Sequence, residues 1–97
     1  MNPRQIRELR ARSHKLKPVV IVGQAGVTAA VLKEISLALD HHELIKVRVN
    51  AVDREQRDEM TKWICHKLGA QWVQTLGHVI TLFRRAEQTE IKCTGPQ

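Results

Sequence analysis

Ninety-seven residues, 42% hydrophobic and 27% charged, describe one globular domain with a single modest core, and they argue against a disordered chain. No apolar run approaches the roughly 20 residues of a membrane span. The chain is basic, with 16 Lys+Arg against 10 Asp+Glu for a formal charge of +6, which directs attention to polyanionic partners.

That charge is unevenly placed. Arg4, Arg7, Arg10, Arg12, Lys15 and Lys17 oppose only Glu8, so the first 17 residues hold +5 of the +6. A concentrated basic segment is the footprint of a nucleic-acid or anionic-membrane partner, or else a solvated helix face. The segment is Arg-rich like a transit peptide but has no cleavage-like small-residue stretch and no apolar core. It is expected to belong to the mature fold.

In chain order, Asn2-Pro3 reads as an N-cap with proline in the first turn, opening a helix to about Ser13 with Ile6 and Leu9 as its apolar stripe. Pro18 ends it. Val19-Val20-Ile21-Val22 is an apolar β-branched run, read as a strand buried on both faces. Gly23-Gln24-Ala25-Gly26 follows. Thr28 then caps a helix whose Val31, Ile35 and Leu39, with Leu32 beside them, form one face, ending at Asp40-His41-His42.

Leu44 to Val49 alternates, with Ile45, Val47 and Val49 on one side and Lys46 and Arg48 on a basic outer side. Asp53 caps a third helix with Met60, Ile64 and Leu68 inward and Trp63 flanking, closed by Gly69. Trp72–Leu76 and Val79–Phe83 are short strands joined at Gly77-His78. Residues 86–97 read as a frayed polar tail.

The order α-β-α-β-α-β-β defines an α/β fold over residues 1–85, with a mixed four-stranded sheet. Right-handed crossovers put the second and third helices on one face. The first helix packs either beside them or at the sheet edge. Cys65 and Cys93 are expected to be free thiols, and no Cys–His spacing resembles a zinc site.

A strand, a glycine turn and a helix start in succession can offer bare N–H groups to an anion. Neither a P-loop nor a dinucleotide fingerprint is present. Gly-x-x-Gly is the spacing of a loop that clamps a nucleic-acid backbone. It is also ordinary chain punctuation, and two glycines in a βα turn are more often structural.

Several ordered blocks go further. "LRARSHKLKPVV", "LKPVVIVGQAGVT", "ALDHHELIKVRV" and "GHVITLFRR" together resemble the bacterial single-domain CRM family (chloroplast RNA splicing and ribosome maturation), of the YhbY type, over about Ile6 to Arg84. The resemblance implies a fold similar to the C-terminal domain of translation initiation factor three. It implies an RNA-binding module associated with large ribosomal subunit precursors; relatives in plant organelles act in intron splicing. It places Gly23, Gln24, Ala25 and Gly26 on the RNA-binding surface. The two middle residues are uncharged here, so backbone N–H groups and the Gln24 amide would do the binding.

The expectation is therefore a cytoplasmic, monomeric, non-catalytic RNA-binding protein acting on ribosomal RNA, with no cofactor, metal or membrane. Gly23 to Gly26 and the helix start at Thr28 would hold phosphates. Arg4, Arg7, Arg10, Arg12, Lys15 and Lys17 would supply attraction, with Lys46 and Arg48 secondary. The alternative is a protein-interaction adaptor using the basic first helix.

Other clusters point less far. His41-His42-Glu43 reads as a helix end, and Asp53 to Glu59, with Glu55 and Glu59 interleaved with arginine, reads as a solvated face. Of the scarce aromatics, only Trp72 and Phe83 lie on strands where bases could stack. That scarcity favours recognition of backbone and RNA shape.

Overall fold

The computed structural model describes residues 2–23 and 25–85; Gln24 and the expected tail over 86–97 lie outside the described residues. The seven elements follow the predicted order: α1 (Pro3–Ser13), β1 (Pro18–Val22), α2 (Ala29–His42), β2 (Leu44–Val49), α3 (Arg54–Leu68), β3 (Gln71–Leu76) and β4 (Val79–Phe83).

Local chemistry sets the helix ends. Asn2 Oδ1 accepts from the Gln5 N–H at 2.8 Å while Gln5 Oε1 accepts from the Asn2 N–H at 3.1 Å, a reciprocal capping box. Thr28 Oγ1 accepts from Val31 N–H at 3.2 Å, and Asp53 Oδ1 from Gln56 N–H at 2.8 Å. Gly69 closes α3 at φ 65°, where a β-carbon would be strained.

The strand order is β1-β2-β4-β3, with β1 parallel to β2 and the other two pairs antiparallel. Val20, Val22, Ile45, Val47, Val49, Ile80 and Leu82 face one side and pack on Ile35 and Leu39 of α2 and Ile64 of α3. Complete burial of one such side chain contributes about 1.5–3 kcal/mol. Met60 and Leu68 flank this core half-buried, while Thr61 is buried beside Ile64.

The first helix packs neither beside α2 and α3 nor at the sheet edge, the two placements expected; it takes the opposite face of the sheet. Leu9 of α1 meets Leu44, Val73 and Phe83 in a second, smaller cluster. A register shift between Trp72 and Gln74 makes this possible. Such a bulge puts two consecutive residues on the same side, here Val73 under Leu9 and Gln74, whose Nε2 donates to Ser13 Oγ at 3.2 Å.

A second expectation is corrected as well. The run Val19 to Val22 is not buried on both faces. Val20 and Val22 are 5% and 0% exposed, but Val19 and Ile21 are 52% and 61% exposed. The reason is tertiary: β1 is an edge strand, and α1 reaches over β2 and β3 without covering it.

Arg84, just past β4, ties the layers together. Its Nη1 donates to Leu68 O at 2.8 Å, at the end of α3. Its Nη2 shares two protons among Ser36 O (2.9 Å), Ser36 Oγ (3.1 Å) and the Asp40 carboxylate (2.8 Å) on α2. With only 16% of the Arg84 side chain exposed, this charge-assisted network is screened less than a surface ion pair.

Candidate nucleic-acid interface

The glycine turn sits where β1 hands over to α2. Gly26 N–H donates to Gly23 O at 3.0 Å, and Gly26 has φ +91°. Gly23 has no such backbone demand, and a β-carbon built there meets nothing within 4 Å. At Gly23 and at Gly26 the space a β-carbon would take is therefore open. The Thr28 hydroxyl is already committed to the Val31 amide. The amides of Ala29 and Ala30 belong to the first turn, whose N–H groups have no acceptor within the helix. Gln24, the fourth residue expected on this surface, lies outside the described residues.

The neighbouring strand ends supply polar and cationic groups at the same end of the sheet. Val22 O accepts from Asn50 N–H at 3.0 Å, and Val49 N–H donates to His78 O at 2.7 Å. Arg48 is exposed, and its Nε donates to Asn50 Oδ1 at 3.4 Å. Lys46, one turn of the pleat further back, is half-buried. The basic outer row predicted for β2 thus exists, on the face that α1 shares.

The N-terminal cations do not form one cluster with the turn. Arg4, Arg7 and Arg10 are exposed along α1. Arg12, Lys15 and Lys17 line a groove with Leu16, Pro18, Val19, His42, Leu44 and Ile45, at the beginning of β1. Five residues of strand, about 17 Å, separate that groove from Gly23. The positive surface is therefore elongated, running from the α1–β1 connection to the glycine turn.

The remaining candidates find structural places. His41 and His42 end α2 with ring centroids 6.2 Å apart and tilted by 53°. Glu55 and Glu59 are exposed, while Arg57 donates from Nη1 to Gly77 O at 2.7 Å and pins the β3–β4 turn. Phe83 lies half-buried in the cluster under α1. Trp72 is exposed but pairs with Leu82, so it faces the α2–α3 side, where its Nε1 donates to Thr75 Oγ1 at 2.8 Å. Trp63 carries Lys67 Nζ over its ring at 4.8 Å.

Burial pushes the Cys65 thiol above its ordinary pKa, which keeps it protonated and poorly nucleophilic at neutral pH. Among the described residues no three His, Cys, Asp or Glu side chains converge as a metal site, and no helix is long and apolar enough to cross a membrane.

Sequence reasoning missed two things here. It read Ile21 as core, and it gave no role to Leu76, which is 59% exposed. Their exposure depends on which helix covers which strand, and no local pattern announces it.

Taken together these features define an α/β domain with an open glycine turn, helices on both sheet faces and an extended basic surface. Known proteins are similar to this chain in sequence and in fold. The model of the CRS1 / YhbY (CRM) domain matches residues 1–84. A Haemophilus influenzae protein named "RNA-binding protein" is 41% identical over 92 residues, covering 95% of this chain and 93% of that one. YqeI of Bacillus subtilis is 33% identical over 87 residues, covering 90% and 91%. The solution structure of SAV1595 from Staphylococcus aureus is similar with a TM-score of 0.79 at 27% identity, over 88% of each chain. The chain belongs to the CRS1 / YhbY (CRM) domain family.

Proposed function

We propose that this protein binds RNA without catalysis, associates with precursors of the large ribosomal subunit and acts in their assembly as a cytoplasmic monomer. The observation that carries the reading is the open glycine turn leading into α2, at one end of a surface whose other end holds Arg12, Lys15 and Lys17. The name of the Haemophilus influenzae relative supports RNA as the partner. The turn receives a phosphate on backbone N–H groups, and the cations of α1, Lys46 and Arg48 draw the RNA in and hold its backbone.

Sedimentation of the native protein through a lysate gradient, at low and raised salt and with nuclease treatment, tests this. Co-migration with large-subunit particles that is lost at raised salt and after RNA digestion is the expected result. Association that survives digestion would replace RNA by a protein partner. Migration only as free protein would remove the ribosomal target.

A further inference from the structure

α1 covers only part of its sheet face. Two successive cross-strand rows lie beneath or beside it. The first joins Leu44 and Gln71 to Phe83; the second joins Pro18, Lys46, Thr81 and Gln74, with Thr81 only 1% exposed. The third row on that face is Ile21, Arg48, Val79 and Leu76, one residue from each strand. α1 does not cover it. Ile21 is 61% and Leu76 59% exposed, Arg48 is exposed and Val79 half-buried. Three strand spacings make the row about 14 Å long.

Its setting is specific. The glycine turn begins two residues after Ile21 on the same strand, and Asn50 follows Arg48 by two. On α1, the flank with Gln5, Glu8 and Arg12 lines the groove at Gln71, Phe83 and Arg85. By helical periodicity Arg10 lies on the opposite flank, toward the open row. The row contains no acidic side chain.

Two exposed aliphatic side chains in line with a half-buried third mark a contact surface, and the cation among them indicates what it contacts. A purely apolar partner would leave the Arg48 guanidinium desolvated and unpaired, at a high cost. The flat face of a nucleobase stacks on a guanidinium plane and on aliphatic surface alike, while the phosphates it carries satisfy nearby cations. Base-paired RNA cannot lay its bases on a flat strip, because they are stacked inside the duplex.

We infer that the row Ile21–Arg48–Val79–Leu76 is a docking strip for unpaired bases of a single-stranded RNA segment whose backbone passes the glycine turn. This rests on the RNA-binding reading above. The strip takes the place of an aromatic platform, since Trp72 faces the other side and Phe83 lies under α1.

The test compares the full-length protein with Ile21→Ser/Leu76→Ser and with Arg48→Lys. Fluorescence anisotropy reports binding to an unstructured RNA oligonucleotide of about ten nucleotides and to the same oligonucleotide annealed to its complement. Leu37→Ser, at an exposed apolar site on α2, is the control, and thermal unfolding verifies each fold. The double variant is expected to weaken single-strand binding about tenfold, with duplex binding changed less than about twofold. Arg48→Lys, which keeps the charge but not the plane, is expected to lose part of the single-strand affinity with an unaltered salt slope.

Equal losses on both RNAs, or no loss on either, overturn the strip while leaving RNA binding in place. A wild-type protein that binds neither RNA overturns the strip together with the RNA-binding reading. Unchanged RNA binding with loss of a co-purifying protein would reassign the strip to a protein partner.

Discussion

Gly23 and Gly26 stand three residues apart and do different work. Gly26 occupies φ +91°, and a β-carbon in that region costs about 1–2 kcal/mol. Gly23 has neither a positive φ nor a neighbour that a β-carbon would meet. Gly26→Ala is therefore expected to lower stability by about 1–2 kcal/mol in chemical denaturation. Gly23→Ala is expected to leave stability within about 0.5 kcal/mol. It should nonetheless weaken RNA binding severalfold, because the added methyl occupies the space a phosphate needs to reach the turn. Unchanged affinity in the Gly23 variant would reduce the turn to a chain reversal. The glycines themselves are plain in the sequence. The difference between them is not, since φ at each depends on how the turn closes through the Gly26 N–H to Gly23 O bond.

At the scale of the element, α1 is held by a small cluster of its own. It is 11 residues long, shorter than a helix that holds in water by itself. Its cap is satisfied, but its tertiary hold rests on Leu9 against Leu44, Val73 and Phe83, with one hydrogen bond at Ser13. α2 and α3 share the larger core on the other face. Leu9→Ala is expected to cost about 2–4 kcal/mol locally. Amide hydrogen exchange in that variant should show α1 losing protection while β2, β4, α2 and α3 keep theirs. A uniform loss across all elements would mean that the two faces unfold as one unit. The start of all three helices and the stop of α3 were readable because Asn2, Thr28, Asp53 and Gly69 act within four residues of themselves. Which face α1 covers was not, because an apolar stripe as short as Ile6 and Leu9 fits any apolar partner.

For the whole molecule, charge is the governing quantity. The chain carries +6, and the first 17 residues supply most of it along α1 and the connection to β1. If about six cations neutralise phosphates, log K against log salt should fall with a slope of about −4 on single-stranded RNA. Replacing Arg10 and Lys15 by Gln should flatten that slope by about 1.4, measured by anisotropy over a salt series. A slope near zero would remove the electrostatic account of binding, whatever the strip on the sheet contributes.

The sequence by itself determined the order of elements, their ends, the inward face of α2 and β2, the family and the concentration of positive charge. These depend on contacts a few residues apart along the chain, or on patterns that repeat within one element. Only the tertiary structure decided that β1 is an edge strand with Ile21 outside, that α1 lies opposite α2 and α3, and that Arg84 joins β4 to both of those helices. It alone assembled Ile21, Arg48, Val79 and Leu76 into one row. Exposure of a strand residue is a property of what the rest of the chain lays over it, and hydrogen-bond register across four strands brings together residues that no local spacing connects.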